Sequence, residues 1–494
     1  MLSVKEKEQR KQIKMLCIED LVPSDHILRK VENALDFSFI YDEVKDLYCL
    51  DNGRPSVDPV VLFKLCIINY MSGYNSMRRT VRESEVNMAY KWFLGYDMLE
   101  SVPHFSTFGK NYSRRFEGTD IFEKIFERIL NEAIACKLVD TNVVYIDGTH
   151  IKANANTKKN IKVAVQKEAK HYQKQLLKEI NEEREAIGKK PFDDDTTSNP
   201  PEIKQETKST TDKESGLFHK GEHKKCFAYS AHTACDKNNF VLHAEVTPGN
   251  VHDSKAFDKV YKKLKKKFGK PEAVVLDAGY KTPWICRKLC KDLVAPIMPY
   301  TRGKGAKKDN PEFNTRNFIY DEYYDCYICP NDQTLIYSTT NREGCREYKS
   351  NPTVCANCPN IKDCTQSKNM TKVIVRHIWQ EYVDYAEDIR LTPYGKNLYQ
   401  TRSQTIERVF ADAKEKHSMR FARVNGLTKV KAQVLLTFAC MNLKKLAKFK
   451  ARHSPLFDLK TAFLQLFSLL TTKETQKIKQ RRFWKIPKPP LSTV

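Results

Sequence analysis

Apolar residues in "DPVVLFKLCIINYMSGYNSMRRTVRESEVNMAYKWFLGYD" recur at intervals of three and four. That spacing predicts helices with one buried face, and the first ~135 residues read as helical throughout. The pattern breaks once, at "SGYNS", a Gly/Asn/Ser cluster of the kind that turns one helix into the next. "VPHFSTFGKNYSRRFEG" then supplies a Ser or Thr cap and a basic, aromatic helix. Helices so closely spaced suit either a helix-turn-helix DNA reader or a plain helical scaffold.

At Asn142 the period changes. "NVVYIDGTHIKANAN" is a β-branched, strand-like run, as are "CFAYSAHTACD" and "FVLHAEVTPGN", which flank a "KNN" turn and so form a hairpin. A basic helix, "SKAFDKVYKKLKKKFG", precedes the strand "AVVLDAGY"; a further helix and the strand "LVAPIMPY" complete the series. Strand, hairpin, helix, strand, helix, strand describes a mixed α/β sheet with antiparallel and parallel pairs, in the α+β class once the N-terminal helices are included.

The domains expected are therefore a helical one over 1–135 and the first part of an α/β domain over 140–300, interrupted at 166–216 by a charged helix and a polar linker. Asp193 to Asp195 belong to that linker and read as solvated charge. Residues 301–370 are loop-rich and hold six cysteines. Residues 371–452 return to helix around a break at Gly426, and 453–494 hold a C-terminal helix and a basic tail.

Charge narrows the class of partner. Lys and Arg number 85 against 61 Asp and Glu, a formal charge of +24, with hydrophobic content of 40%. There is enough apolar material for packed cores, and the cationic surplus points to a polyanion, nucleic acid before an acidic membrane. No signal-peptide pattern opens the sequence, and no apolar run approaches the roughly 18 residues of a spanning helix. The expectation is a cytoplasmic protein without a membrane partner, its 15 cysteines reduced.

Two strand-like runs end on an aspartate followed by a small residue, Asp147 and Asp277. A third carboxylate, Glu407, borders the helical stripe Ile406, Val409, Phe410 and Ala413, with Lys414 two turns further on. Three carboxylates converging in a partly buried site repel one another, so cations are expected to complete it. An all-oxygen donor set selects Mg²⁺ or Mn²⁺, as a pair of ions acting on a phosphodiester.

These segments resemble the DDE transposases of bacterial insertion sequences, in the subgroup with a helical N-terminal domain. "YIDGTHIKANAN" is similar to that family's first-aspartate segment and "VVLDAGY" to its second. "YQTRSQTIERVFADAK" resembles its tyrosine–arginine–glutamate–lysine signature, and "VTPGNVHDSKAF" and "RFARVNGLTKVKAQVLLTFACMNLKKLAKF" share its look, so the likeness runs roughly from Leu16 to Phe449. One spacing departs: four residues separate Arg402 from Glu407, where the signature has three.

The resemblance implies an RNase H-like catalytic domain with Asp147 on the first strand, Asp277 on the fourth and Glu407 on a later helix. It implies metal-dependent cleavage and strand transfer on the element's terminal inverted repeats and target DNA. A homodimer in a synaptic complex and a nucleoid-associated location follow with it. Arg402 and Lys414 would neutralise phosphates beside the cut. Lys416, Arg420, Arg423, Lys429 and Lys431 join them as candidate DNA contacts, because 414–452 holds eleven Lys/Arg and one acidic residue, Glu415. The rival readings are an RNase H-like DNA nuclease without strand transfer and a DNA-binding protein derived from a transposase.

In the cysteine-rich segment "CYIC" and "CANC" each present two thiolates at zinc-knuckle spacing. A structural Zn²⁺ on Cys326, Cys329, Cys355 and Cys358 is one expectation, with Cys345 and Cys364 as substitutes; a reduced loop domain without metal is the other. Of the scattered histidines, His252 in "GNVHDS" is the one expected near the site.

Overall fold

A computed structural model describes residues 13–49, 55–166, 172–193, 203–220, 224–301 and 313–453. The C-terminal helix and tail expected beyond these, and Asp194 and Asp195, lie outside the described residues. The chain forms two compact units: 1–138 with 416–418 and 435–494, and 139–415 with 419–434.

The first unit is helical: α1 (Ile18–Leu21), α2 (Ile27–Ala34), α3 (Phe39–Val44), α4 (Pro59–Met71), α5 (Met77–Val86), α6 (Met88–Leu94), α7 (Phe105–Asn111) and α8 (Ile121–Ala135). α4 is its centre. Asp58 caps it by accepting from the Val60 N–H, Pro59 occupies the first turn where no N–H is needed, and ten of its thirteen residues are buried. The expected break falls between α4 and α5, where Gly73 adopts φ +69° and Ser76 caps α5. A side chain at Gly73 would also meet the Lys416 carbonyl oxygen at 2.6 Å. Residues 416–418 dock on this turn: His417 Nδ1 donates to the Tyr70 carbonyl (2.8 Å) and the Ser418 hydroxyl to that of Gly73 (2.6 Å).

The second unit begins with β1 (Val143–Lys152) and a two-stranded ribbon, β2 (Asn160–Gln166) with β3 (Ile203–Ser209), separated by α9 (Gln173–Ala186). Two features differ here from the linker reading. Polar composition hides β3, which pairs along its length with β2. α9 is not merely solvated: Leu176 and Ile180, four apart, bury against Trp379.

The main sheet adds β4 (Gly216–Lys220), β5 (Lys224–Cys235), β6 (Val241–Pro248), β7 (Ala273–Leu276) and β8 (Ala295–Ile297). Its order is β4-β5-β1-β7-β8, with β6 also paired to β5. β6, β5 and β1 are antiparallel neighbours; β1, β7 and β8 run parallel. The connections into the parallel strands are helical, α10 (Asp253–Phe268) before β7 and α11 (Pro283–Lys291) before β8. All four residues of β7 are buried, as the continuous apolar run "AVVL" requires of a strand covered on both faces.

The cysteine-rich stretch folds as an antiparallel sheet of β9 (Ile319–Asp321), β10 (Cys326–Ile328), β11 (Thr334–Thr340), β12 (Cys345–Ser350) and β13 (Val373–His377). Phe318, Tyr327, Leu335, Tyr348 and Ile374 form its core. The short helices α12 (Pro352–Ala356) and α13 (Ile361–Cys364) lie between β12 and β13 in the chain. Then follow α14 (Gln380–Leu391), α15 (Pro393–Gln400), α16 (Ile406–Lys416) and α17 (Leu427–Arg452). From residue 435 α17 belongs to the helical unit, where Cys440 donates to the Ile67 carbonyl and Lys450 to that of Ala34. Among the described residues no helix is long and apolar enough to cross a membrane.

Candidate active site

β1 and β7 place two aspartates side by side. Their parallel register runs from Val143 opposite Ala273 to Ile146 opposite Leu276, so the next residue on each is Asp147 and Asp277. Asp277 does end its strand, and its carboxylate accepts from the Ala278 N–H (2.6 Å) to cap a 3₁₀ turn. Asp147 does not. β1 continues to Lys152 because its other neighbour, β5, stays paired with it to Ala228. The expectation that Asp147 terminates a strand is corrected accordingly: it lies where the strand loses one of two partners.

Arg402 joins the pair. It sits on a 3₁₀ turn, Thr401–Gln404, between α15 and α16, and its side chain is 7% exposed. Nη2 donates to Asp147 Oδ2 at 2.6 Å; Nη1 lies 3.5 Å from Asp277 Oδ1 and donates to the Tyr399 hydroxyl at 3.3 Å. Burial pushes the Asp147 carboxyl up to about 6, opposed by the Arg402 charge and the Gly148 N–H and reinforced by Asp277 and Asp253.

Asp253, absent from the sequence reading, is the third acid here. It opens α10, one residue after His252, whose ring accepts from the Ser254 N–H as the helix cap. A methyl group on Gly148 would come within 3.0 Å of Asp253 Oδ1, and one on Gly279 within 3.0 Å of Oδ2. Gly148, directly after Asp147, and Gly279, two residues after Asp277, therefore leave room for this carboxylate. Behind it His232 is fully buried, Nδ1 3.2 Å from the Tyr280 hydroxyl and Nε2 2.9 Å from that of Thr247. Burial holds its pKa down at about 4, so it is neutral at pH 7.

Glu407 stands differently. The four residues read as the apolar stripe of α16, Ile406, Val409, Phe410 and Ala413, are its buried ones, while Glu407 is exposed in the first turn. The extra residue between Arg402 and Glu407 is absorbed at Thr405, whose backbone (φ −111°, ψ −102°) leaves the helical region between the 3₁₀ turn and α16. Of the candidate DNA contacts, Lys416 and Arg420 are exposed, Arg420 paired with Glu415; Lys414, Arg423, Lys429 and Lys431 are half-buried.

Among the described residues no three His, Cys, Asp or Glu side chains form a ready cage for a metal. The two aspartates nonetheless already hold a cation, the Arg402 guanidinium, and carboxylate oxygens are the donors Mg²⁺ and Mn²⁺ take. The donor set fits such an ion in kind. In the second sheet Cys329, Cys355, Cys358 and Cys364 line one cavity of about 40 Å³, whereas Cys326 and Cys345 do not.

Two stretches match family models. Residues 16–114 match "Transposase domain (DUF772)", and residues 328–447 match "Transposase DDE domain", a span that holds Arg402, Glu407 and Lys414 but stops short of the two aspartates. Together the two matches support a DDE transposase of an insertion element. No curated protein matches it.

Proposed function

We propose that this transposase binds the terminal repeats of its element and, at a centre built on Asp147, Asp277 and Glu407, cleaves a DNA strand and joins the freed end to target DNA. One observation carries the reading: two carboxylates adjacent in register at the edge of a parallel strand pair, sharing one cation. The order β6-β5-β1-β7-β8, three antiparallel strands followed by two parallel ones, supports an RNase H-like catalytic domain.

In the first step water attacks the phosphorus at the element's end, the bond from phosphorus to the element's O3′ breaks, the phosphate stays on the flanking strand's 5′ end, and the water's proton passes to the leaving oxygen as the element's 3′-hydroxyl. In the second that hydroxyl attacks a target phosphodiester and the target's own 3′ oxygen leaves with the proton. Bound Mg²⁺ or Mn²⁺ supplies activation of the attacking oxygen and neutralises charge on the phosphate. Asp147, Asp277 and Glu407 would hold that charge. Arg402, released from the aspartates, and Lys414 pair with phosphate oxygens beside the cut. Lys416, Arg420, Arg423, Lys429 and Lys431 hold the backbone of the DNA, with binding that weakens steeply in salt. The working form is a homodimer that brings two element ends together. A structural Zn²⁺ in the second sheet would draw on Cys329, Cys355, Cys358 and Cys364, since Cys326 lies outside their cavity.

The test is Asp147→Ala with DNA carrying the sequences that flank the gene. Gel shifts should match the parent protein, while Mg²⁺-dependent nicking and strand joining vanish. Nicking at the parental rate would remove Asp147, and this reading, from the chemistry.

A further inference from the structure

We propose that α10 carries a track for target DNA, a row of lysines that grips the phosphate backbone of a duplex without reading its sequence; this rests on the reading of the centre given above. Lys255, Lys259, Lys262 and Lys266 follow one another at intervals of four, three and four residues, and all four are exposed. That spacing sets them in a single row along the helix, about 16 Å from first to last. The opposite face, Ala256, Phe257, Val260, Tyr261 and Leu264, is buried. The row is therefore held in place by a packed core.

The helix itself does not explain the row. Lys265, Lys266 and Lys267 in the last turn suit the helix dipole, but Lys255 and Lys259 lie toward the end that the dipole makes positive. Lysines three and four apart also repel one another. Asp258, the one acid of α10 beyond its first residue, is taken up by α11, where it pairs with Lys288 and accepts from Trp284 Nε1 (3.1 Å). A cationic row set out against such repulsion matches a polyanion. Each strand of duplex DNA presents one charge per about 3.4 Å of its axis, enough to cover the whole row.

Placement and chemistry together say which DNA. α10 begins beside the aspartates, since Asp253, its first residue, approaches Gly148 and Gly279. A duplex lying on the row thus leads to the centre. At its flank Lys263 lies 3.4 Å from Glu245; burial raises that carboxyl, but His243, Lys263 and Lys431 of α17 hold it down at about 2. The row therefore runs close to the basic stretch assigned above to DNA, as joining two duplexes requires. Lysine offers phosphate a point charge and offers base edges no fork, so the row suits a target of varying sequence rather than the terminal repeats.

The test compares full-length protein carrying Lys259→Gln, Lys262→Gln and Lys266→Gln together with a form carrying Lys259→Arg, Lys262→Arg and Lys266→Arg. Fluorescence anisotropy over a salt series follows two labelled duplexes, one of unrelated sequence and one with the sequences that flank the gene. The glutamine form should bind the unrelated duplex about tenfold or more weakly than the parent, and its slope of log affinity against log salt should flatten by about 3. The flanking-sequence duplex should lose much less, and the arginine form should match the parent on both. Parental affinity and slope on the unrelated duplex overturn the track. Equal losses on the two duplexes overturn its assignment to target DNA. Nicking by Asp147→Ala at the parental rate would fell the reading of the centre, and the anisotropy result would still report on α10 alone. If circular dichroism shows the glutamine form unfolded, Lys262→Gln by itself decides: a slope smaller by about 1 supports the track, and an unchanged slope removes it.

Discussion

The two larger sheets of the second unit treat partly buried carboxylates in opposite ways. In the antiparallel sheet, Asp325 lies in a cluster of tyrosines and accepts from the hydroxyls of Tyr320 (2.8 Å) and Tyr348 (2.6 Å). Its charge is met from within. In the mixed sheet, Asp147 and Asp277 meet beyond two central strands and share a single guanidinium, with Asp253 close by. The difference follows from topology. Antiparallel strands joined by short turns keep every residue close to a partner that can be matched to it. A parallel pair fed by helices ends abruptly, and the aspartates just beyond Ile146 and Leu276 face each other across one guanidinium. A carboxylate satisfied by tyrosines builds structure; one left in excess waits for a ligand.

The contrast can be broken by substitution. The largest effect expected is on chemistry: Asp277→Asn should lower the strand-cleavage rate by about a thousandfold or more while thermal stability holds or rises, because like-charge repulsion is relieved. A large drop in melting temperature with cleavage intact would assign Asp277 to structure. Next comes acid sensitivity. The folded pKa of His232 is depressed below its unfolded value, so its contribution to stability is full above pH 6.5 and is lost as pH falls towards about 4. Over that window the parent protein should lose up to about 3 kcal/mol that His232→Gln does not, measured by denaturant titration at a series of pH values. Identical pH slopes would show that the imidazole already carries its proton in the fold. The smallest effect sits in the other sheet. Tyr348→Phe removes one donor from Asp325 and should cost about 1–3 kcal/mol of stability with the cleavage rate per folded molecule unchanged. A lost cleavage activity in a stable Tyr348→Phe protein would end the division of labour drawn here.

What could be read from the residues alone was whatever periodicity marks. The β-branched run before Asp277 and the four-residue stripe of α16 each emerge in the structure as elements with those residues inside. Asp253 was invisible because "HDS" looks like any helix cap; only the approach of Gly148 and Gly279 sets it beside the aspartates, and the first of these contacts spans more than a hundred residues of chain. β3 escaped notice because "IKQETKS" carries the composition of a linker, and a ribbon held by its partner strand needs little apolar surface. The unusual spacing before Glu407 was visible, but its physical form, a break at Thr405 between two kinds of helix, was not. The family matches cover residues 16–114 and the Glu407 stretch, so the aspartates rest on the sequence pattern and on the strand register.

The assignment of residues 435–452 to the N-terminal helices has a consequence for how the protein is made. Phe438, Leu443 and Leu446 are fully buried, and each such side chain left uncovered forfeits about 1.5–3 kcal/mol. A nascent chain emerging from the ribosome cannot finish the unit it began first until almost the last of these codons has been translated. Copies terminated before these residues would therefore expose an open apolar face on α1–α8.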